Sequence, residues 1–323
     1  MDVLVTGATG FIGRHLVERL KEENYRVYCL VRKESKKKIE ALKDVNVIYG
    51  DITNKETLKR NLKSFDVVFH LAAAFGKLMK REEYFKVNVY GTKNLLEVCK
   101  DKGIGKFIHY SACGVYGNSD KIIDEVSPYN PSNPYEESKA EGEKIAISFM
   151  KYLPIVILQP AVVFGPGDTY NVFKLFKGIK EKKFVLIGNG DNKLHFVYIK
   201  NLVYASLLAI KCEKAVGERF LIADEKAIRL KDLVLFIARE IGVSNKFLSI
   251  PKWLAYFIAY FEEKRAKLMN SNPLITRDGV RFLTENHEYS ILKAKRILKY
   301  TPRYTTYDGI RETIKWCEEQ KLI

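Results

Sequence analysis

The first half of the chain alternates short apolar runs with longer amphipathic stretches. Runs rich in Val, Ile and Leu predict β-strands at 2–7, 26–32, 45–52, 66–74, 106–112 and 154–165. The stretches 13–25 and 87–103 have helical spacing, and a further helix begins near Tyr135. Strands that are apolar at nearly every position and alternate with helices predict an α/β fold, a doubly wound parallel sheet covered on both faces.

Beyond residue 165 the pattern becomes irregular. Strands are predicted at 184–188, 194–199 and 218–223, a helix at 201–210, and mostly helices thereafter. We therefore expect a sheet domain over 1–165, to which 194–222 contributes. A smaller, mostly helical lobe would comprise 166–193 and 223–323.

The composition fits a large core without a membrane span. The chain has 323 residues, 47% of them hydrophobic, and no window reaches the roughly 18 apolar residues that a span needs. Its start, "MDVLVTGATGFIG", has glycines where a signal peptide has an apolar core. The five cysteines form no CxxC pair and the five histidines are dispersed. We expect a reducing cytoplasm and no metal site.

The charge is strongly basic. A formal net charge of +16 comes largely from lysines, in runs such as 32–38 and 180–183. Solvated helix faces explain most such runs, but the balance also favours an anionic partner: a phosphorylated cofactor, a nucleotide-linked substrate or a membrane surface. Because no helix-turn-helix, zinc-finger or RNA-binding pattern is present, no nucleic-acid partner is predicted.

A glycine-rich turn joins the first predicted strand to the first predicted helix. In "TGATGFIG", Gly7, Gly10 and Gly13 let backbone amides approach a pyrophosphate at the positive end of the helix. The strand–turn–helix context required of such a motif is present. The turn therefore predicts a dinucleotide site.

Together with this turn, a series of motifs gives a family resemblance. "GDI" (50–52), "FHLAA" (69–73), "NVYGT" (88–92), "VYG" (115–117), Tyr-x-x-x-Lys at 135–139 and "GPG" (165–167) make the chain resemble the extended short-chain dehydrogenase/reductase family. That family includes NAD(P)-dependent sugar-nucleotide epimerases and dehydratases. The C-terminal segments resemble its 3-beta-hydroxysteroid dehydrogenase-like and dihydroflavonol reductase-like members. The resemblance implies a Rossmann-type sheet and a homodimer formed through two helices.

The resemblance also implies which residues hold the dinucleotide. The expected cofactor-binding residues are Gly7, Thr9, Gly10, Phe11, Ile12, Gly13, Arg32, Lys33, Asp51, Ile52, Leu71, Ala72, Ala73, Asn88, Tyr135, Lys139, Pro160 and Val163.

The end of the second strand bears on the choice of cofactor. Relatives that prefer NAD generally carry an acid there, whereas this chain has Val31 followed by Arg32 and Lys33. A guanidinium can hold a 2′-phosphate through charged hydrogen bonds that a carboxylate would oppose. We expect NADP, with NAD the less favoured alternative; Arg32 beginning a solvated basic run is the simpler explanation.

Tyr135 and Lys139 are the predicted proton-transfer pair. Residues four apart share a helix face, so the Lys139 ammonium is expected to face the Tyr135 hydroxyl and the nicotinamide ribose. A nearby cation lowers the pKa of a tyrosine. Tyr135 would then exchange a proton with a substrate hydroxyl or carbonyl while the nicotinamide exchanges hydride.

The segment "YSACGVYG" departs from the family pattern. Relatives usually place a Ser or Thr four residues before Tyr116, and here that residue is Ala112. Ser111 should point away from the substrate because side chains alternate along a strand. A bend near Gly114 would bring Ser111, the predicted third catalytic residue, or Cys113 into range. Loss of such a donor typically costs about 10²–10³ in rate.

Three further positions, Gln159, Lys193 and His195, bear on the charge around the substrate. Relatives commonly carry arginine where this chain has Gln159, which can supply only an amide hydrogen bond. An arginine near 188–202 often clamps a diphosphate in sugar-nucleotide enzymes, and Lys193 or His195 is the substitute here. We expect His195 to be structural, with Lys193 either a clamp or solvent-facing.

The segment 250–268 carries large apolar residues at helical spacing: Trp253, Leu254, Phe257, Ile258 and Phe261. Such a stripe most often packs into a core, and we expect that here. The alternatives are a substrate pocket or an interfacial helix that makes peripheral membrane contact, for which Lys264, Arg265 and Lys267 suit anionic lipid.

Three functions follow from these observations. The first is an NAD(P)-dependent oxidoreductase that interconverts a secondary alcohol and a ketone, with an apolar small-molecule substrate. The second is a nucleotide-sugar epimerase or dehydratase that retains its cofactor. The third, suggested by Ala112, is a catalytically weak cofactor-binding scaffold or sensor.

Overall fold

The computed structural model describes residues 1–76, 79–170, 172–269, 271 and 273–323, including all side chains there except those of residues 36 and 37. The strands are β1 (Asp2–Thr6), β2 (Arg26–Val31), β3 (Asn46–Tyr49), β4 (Val67–His70), β5 (Lys106–Tyr110), β6 (Ile155–Pro160), β7 (Val162–Phe164), β8 (Leu186–Ile187), β9 (Lys193–Leu194), β10 (Phe196–Tyr198), β11 (Arg219–Ile222), β12 (Ile228–Arg229) and β13 (Ser249–Ile250). The α-helices are α1 (Phe11–Glu22), α2 (Lys36–Ile39), α3 (Lys55–Asn61), α4 (Arg81–Phe85), α5 (Thr92–Lys102), α6 (Pro134–Phe149), α7 (Val172–Lys180), α8 (Ile199–Lys211), α9 (Leu230–Ile241), α10 (Lys252–Leu268), α11 (Arg277–Phe282) and α12 (Thr306–Glu319).

Seven of these strands form one parallel sheet in the order β11-β6-β5-β4-β1-β2-β3. Val3 of β1 lies between Val27 of β2 and Val67 of β4. The strand order reverses direction at β1, and the carboxyl ends on either side of this point form the crevice in which such sheets bind ligands. The predicted doubly wound Rossmann-type fold is confirmed.

Alternate residues of each strand are buried on opposite faces, which explains the continuous apolar runs. Val3 and Val5 join the core on the side of α1 and α8, whereas Leu4 packs on the side of α3, α5 and α6. Side chains alternate across a strand, so a strand between two helical layers needs an apolar residue at every position.

Two predicted elements divide in the structure. The predicted helix 87–103 begins as a π-helix, Lys86–Gly91, before α5 continues it. The predicted strand 154–165 separates at Ala161, where β6 stays in the main sheet and β7 pairs with β10. A π-helical turn is frequent at functional sites, and this one lies against α6.

The rest of the chain packs as helices and short strand pairs. β9 pairs with β12 and β8 with β13, while α9 contacts α7 and α12. β11 belongs to the main sheet and α8 contacts α1. The boundaries of the two predicted units stay predictions. No helix in the described ranges is long and apolar enough to cross a bilayer.

The expectation that the apolar stripe of 250–268 packs into a core is wrong. Trp253, Phe257 and Phe261 of α10 are exposed, while its small residues Ala255 and Ala259 are fully buried. The alanines lie against Val280 of α11. Helical spacing identifies two faces but not which one is covered; here the close approach of α11 selects the small residues.

A buried lysine caps the C-terminal end of α8. Lys106 Nζ donates to the carbonyl oxygens of Ala209 (3.4 Å), Ile210 (2.7 Å) and Cys212 (3.3 Å) and to Glu213 Oε1 at 2.9 Å. The last carbonyls of a helix have no intrahelical partner and carry partial negative charge. The ammonium therefore fixes α8 to β5.

Lys106→Met should lower the free energy of unfolding by about 1–3 kcal/mol, because the buried carbonyls lose their donor. Urea unfolding of both proteins measures the change. Lys214→Met, which replaces an exposed lysine nearby, is the matched control and should change stability by less than about 0.5 kcal/mol. Equal stability of the two variants would contradict the capping role.

Candidate active site

The glycine turn has the close approaches that a phosphate cradle requires. Gly7 has a φ of +73°, and a Cβ there would lie 2.8 Å from Ala72 N. A Cβ at Gly13 would lie 2.2 Å from the Gly7 carbonyl oxygen. The Gly10 N–H donates to Gly7 O, and α1 begins immediately afterwards, with no side chain capping its first amides. The backbone therefore stays open to an anion at the positive helix end.

Several of the residues predicted to bind the dinucleotide lie beside this turn or directly after β4. Thr9, Phe11 and Ile12 are half-buried beside it, and Leu71 and Ala72 are half-buried and Ala73 exposed beyond β4. Ala72 N donates to Thr6 Oγ1, which also bonds His70 Nδ1. His70 Nε2 bonds Thr92 Oγ1, and burial lowers the pKa of His70 to about 3. His70 is therefore a neutral support for the turn.

The adenosine end of the predicted site lies at β2 and β3. Arg32 and Lys33 are exposed directly after β2. Asp51 Oδ1 accepts from the backbone and hydroxyl of Thr53, both at 2.8 Å. Ile52 is buried, and a Cβ at Gly91 would lie 2.8 Å from its side chain. Arg32 and Lys33 are thus exposed to solvent, whereas Ile52 is packed against the Gly91 backbone.

Asn88 differs from its predicted role as a cofactor ligand. Its Oδ1 accepts from Ala74 N at 2.7 Å, and its Nδ2 donates to Ala74 O at 3.2 Å and Ser138 Oγ at 2.8 Å. Both amide protons are thus used within the protein. Ser138 Oγ in turn donates to Tyr135 O. Asn88 therefore positions the loop after β4 against α6.

The predicted pair lies on the first turns of α6. Asn133 caps this helix by accepting from Glu136 N, and Pro134 occupies its first turn, as sequence signals of a helix start require. Lys139 is buried, and its Nζ donates to the carbonyl oxygen of Tyr110 at 2.5 Å. Burial lowers the pKa of Lys139 to about 8, opposed by the Glu143 carboxylate.

The expected acidification of Tyr135 is absent from this structure. Burial raises the pKa of Tyr135, and Glu136 and Tyr84 add to the rise. The Lys139 ammonium bonds the strand carbonyl instead, so desolvation of the phenolate dominates. Tyr135 is therefore a protonated phenol at neutral pH.

An aromatic cluster around Tyr135 was not predicted from the sequence. The Phe75 ring lies 5.2 Å and the Tyr84 ring 5.9 Å from that of Tyr135. Tyr170 lies 4.9 Å from Phe75, on its edge. Phe75 and Tyr170 lie in loops, where no hydrophobic periodicity marks them as part of a site. The only sequence signal for them is that they follow the motifs "HLAAA" and "GPG". They give Tyr135 an apolar wall.

Ser111 and Ala112 differ in accessibility. The Ser111 N–H donates to Leu158 O, so strand pairing continues to this residue, and its Oγ is buried without a hydrogen-bond partner in the described residues. Ala112 is only half-buried. Cys113 is buried and its thiol donates to Gln159 O. No bend exposes Ser111 or Cys113, and Ala112 is the accessible position, as alternation predicted.

Gln159 belongs to a buried polar network beneath α6. Its Nε2 donates to Glu143 Oε1 at 2.8 Å and to Tyr116 OH at 2.9 Å. Arg219 of β11 lies 3.5 Å from Glu143 Oε1 and donates to Tyr129 OH. Glu143 is fully buried, so its charge needs compensation. Arg219 supplies the guanidinium that Gln159 lacks.

The remaining predicted residues complete the edge of the sheet. Pro160 ends β6 opposite Ile222, and Val163 is buried in β7.

His195 Nδ1 accepts from Tyr289 N and its Nε2 lies 2.9 Å from Asp224 O, which makes it structural, as expected. Lys193 pairs with Glu288 at 2.9 Å. Among the described residues, no group of three or more His, Cys, Asp or Glu is arranged to hold a metal ion.

Comparisons with known proteins agree with this geometry. The model of the NAD dependent epimerase/dehydratase family matches residues 3–223. The chain is 32% identical to a sterol-4-alpha-carboxylate 3-dehydrogenase, decarboxylating, of Schizosaccharomyces pombe, covering 99% of this chain and 98% of the relative. It is 28% identical to a 2-alkyl-3-oxoalkanoate reductase of Shewanella oneidensis, covering 95% and 84%.

A solved structure is similar over the same length. UDP-glucuronic acid 4-epimerase from Bacillus cereus in complex with NAD superposes with a TM-score of 0.78 and 26% identity, covering 99% of both chains. Oxidoreductase and epimerase chemistry both occur among these relatives. The glycine cradle, the Tyr135–Lys139 helix and the match over 3–223 lead to one assignment: the chain belongs to the NAD dependent epimerase/dehydratase family, in the extended short-chain dehydrogenase/reductase class, and is an NAD(P)-dependent enzyme.

Proposed function

We propose that the chain is an NADP(H)-dependent oxidoreductase that interconverts a secondary alcohol and a ketone on an apolar substrate. The observation that carries the proposal is the surroundings of Tyr135: its ring has Phe75 and Tyr84 as neighbours, and Tyr170 extends the wall. Such a wall suits an apolar substrate. The named substrates of the two relatives, a sterol carboxylate and a 2-alkyl-3-oxoalkanoate, support the same class.

The groups considered for a diphosphate clamp support the oxidoreductase over the epimerase. Lys193 is paired with Glu288, and both ring nitrogens of His195 are engaged. A nucleotide sugar would have to compete with Glu288 for Lys193, although a partly exposed ion pair of this kind is worth only about 0–1 kcal/mol. Epimerisation remains the second candidate, because the Bacillus cereus epimerase shares the whole fold.

The chain's own residues divide the work as follows. The glycine turn and the open amides of α1 would hold the pyrophosphate, Arg32 and Lys33 the 2′-phosphate, and Lys139 the nicotinamide ribose. A bound nicotinamide supplies hydride exchange. Tyr135, whose pKa is raised by burial, donates its hydroxyl proton to a ketone oxygen. Phe75 and Tyr170 would contribute apolar surface beside that oxygen.

Cytoplasmic location, a homodimer and peripheral membrane contact through 250–268 are part of the same proposal. The dimer rests on the family resemblance, and the location rests on the scattered cysteines. Membrane contact has separate support from the exposed side chains of α10.

The experiment that tests the reaction is NADPH oxidation with a panel of alkyl and alicyclic ketones. We expect continuous NADPH consumption with at least one ketone and none with UDP-glucose or UDP-glucuronic acid. Conversion of a nucleotide sugar by protein that retains its dinucleotide, without net NADPH consumption, would favour the epimerase. Tyr135→Phe should lower kcat by about 10²–10⁴, as expected for loss of a general acid.

Arg32→Gln should weaken NADP binding by about 10- to 150-fold, because a charge-assisted hydrogen bond to phosphate is worth about 1.5–3 kcal/mol. NAD binding should not change. Isothermal titration with both cofactors measures the effect. Arg26→Gln is the matched control, since Arg26 lies at the opposite end of β2 and pairs with Asp2. Tighter binding of NAD than NADP by the natural protein would overturn the cofactor assignment.

The affinity for NADP should fall as pH rises through about 8. Burial lowers the pKa of Lys139 to about 8, so its ammonium is present below that pH and lost above it. Glu143 opposes this shift; Glu143→Gln should therefore move the fall to lower pH. Binding titrations across the pH range follow this behaviour. Lys139→Met should bind weakly with no such fall, and persistence of the fall in that variant would exclude Lys139 as its source.

Ala112→Ser should raise kcat by up to about 10², because it adds a donor at the accessible position beside the reacting oxygen. Steady-state rates of ketone reduction measure the gain, and NADP affinity should not change. If Ser111→Ala instead abolishes turnover and Ala112→Ser adds nothing, the donor is Ser111. Turnover only after Ala112→Ser would support the catalytically weak scaffold.

A further inference from the structure

One face of α10 exposes large apolar side chains on successive turns, Trp253, Phe257 and Phe261, with Leu268 following beyond Lys264. Trp253 is 70% exposed, Phe257 57%, Phe261 53% and Leu268 89%. At 3.6 residues per turn these four residues fall within about 80° of one another around the helix axis. The Phe257 and Phe261 rings are 4.7 Å apart, and Tyr260 meets Phe261 edge-on. Exposed apolar groups of this size and continuity mark an interaction surface.

The buried side of α10 shows that this exposure is built into the packing. Ala255, Ala259 and Ala266 are the buried residues of the helix, and they lie on the side opposite the aromatic row. Small residues allow α11 to approach closely, so α10 is held firmly while its large side chains remain outside. Met269 and Leu274, which follow α10, are also exposed.

The charges of α10 leave a surplus of cations beside this row. Glu262 pairs with Arg265, and Glu263 pairs with Arg277, so both carboxylates of the helix are neutralised within the protein. Its three lysines, Lys252, Lys264 and Lys267, are exposed. None of them takes part in an ion pair between described residues. Lys252 and Lys264 lie over the Tyr256 and Tyr260 rings, at 6.0 and 5.4 Å from the ring centres. An aromatic row beside lysines that have no carboxylate partner among the described residues complements an anionic surface.

We infer that α10 docks this protein on the surface of an anionic lipid bilayer. The helix lies in the plane of the interface with Trp253, Phe257 and Phe261 in the acyl boundary. Its lysines reach the headgroups from flexible stems. A second copy of the chain would meet the same lysines with like charge, so the charge pattern favours lipid over self-association.

The docked helix is connected to the candidate active site. α10 packs on α11 through Ala255, Ala259 and Val280. Arg281 of α11 donates to Ser132 O at 3.3 Å, one residue before the cap of α6. The docking itself is independent of the reaction; delivery of an apolar substrate from the bilayer rests on the proposed function.

The test is sedimentation of the full chain with vesicles. We use vesicles of phosphatidylcholine alone and of phosphatidylcholine with phosphatidylglycerol. Binding is expected to the mixed vesicles, and to weaken as NaCl is raised. The chain has two tryptophans, so Trp316→Phe leaves Trp253 as the probe. Its fluorescence should shift to the blue on binding the mixed vesicles. No sedimentation with the anionic vesicles would overturn the inference.

Two pairs of variants locate the contact. The double variant Phe257→Glu with Phe261→Glu should bind vesicles at least about tenfold more weakly. Its control is Val126→Glu with Leu292→Glu, which alters exposed apolar residues elsewhere and should retain vesicle affinity. Lys264→Glu with Lys267→Glu should reduce affinity at least about fivefold; Lys214→Glu with Lys226→Glu is its exposed control. Equal losses in the variant and control pairs would contradict docking through α10.

Two readouts separate this inference from its alternatives. Sedimentation velocity without lipid reports self-association; an oligomer dissolved by Phe257→Glu with Phe261→Glu, without vesicle binding by the natural protein, would assign the face to a second copy. NADPH oxidation with a water-soluble ketone should be equal in the α10 variants and the natural protein. Vesicle binding without any turnover would leave the docking supported and the proposed reaction refuted.

Discussion

The site depends on how closely α6 lies against the π-helical turn Lys86–Gly91. A Cβ at Gly142 would lie 2.4 Å from the carbonyl oxygen of Asn88, so only glycine permits this contact. The Thr92 hydroxyl donates to the same carbonyl at 2.7 Å, and the Asn88 amide reaches Ser138. Together these contacts fix the depth and rotation of α6. The positions of Tyr135 and Lys139 over the sheet follow from them.

The close packing of α6 also explains the pKa shifts of Tyr135 and Lys139. A helix this close to β5 places the Lys139 ammonium at the Tyr110 carbonyl and out of water. Burial then acts on both residues of the pair, lowering the pKa of Lys139 and raising that of Tyr135. Desolvation always favours the neutral form. The same packing therefore favours the neutral phenol of Tyr135 and the neutral amine of Lys139. Glu143, also on α6, counteracts the lowering of the Lys139 pKa.

Sequence patterns predicted the sheet because burial on both faces demands continuous apolar runs such as 2–7. They predicted the start of α6 because Asn133 and Pro134 are local signals. Patterns were insufficient where partners are distant: Asn88 bonds Ala74 and Ser138, and the wall around Tyr135 comes from loops. The sequence also could not show which face of α10 is buried. Helical spacing separates two faces of a helix but does not indicate which of them packs against the rest of the protein. The direction of the Tyr135 pKa shift could not be predicted either, because it depends on how deeply α6 is buried, and residue spacing does not show this.

The origin of the positive charge beneath α6 has an evolutionary consequence. Here Arg219 of β11 faces Glu143, while Gln159 of the adjacent strand β6 contributes only its amide. An arginine introduced at 159 would place two guanidinium groups beside the Glu143 carboxylate. Loss of Arg219 alone would leave that carboxylate buried without a compensating positive charge. A change at either position 159 or position 219 therefore alters the charge balance around Glu143 unless the other position changes with it.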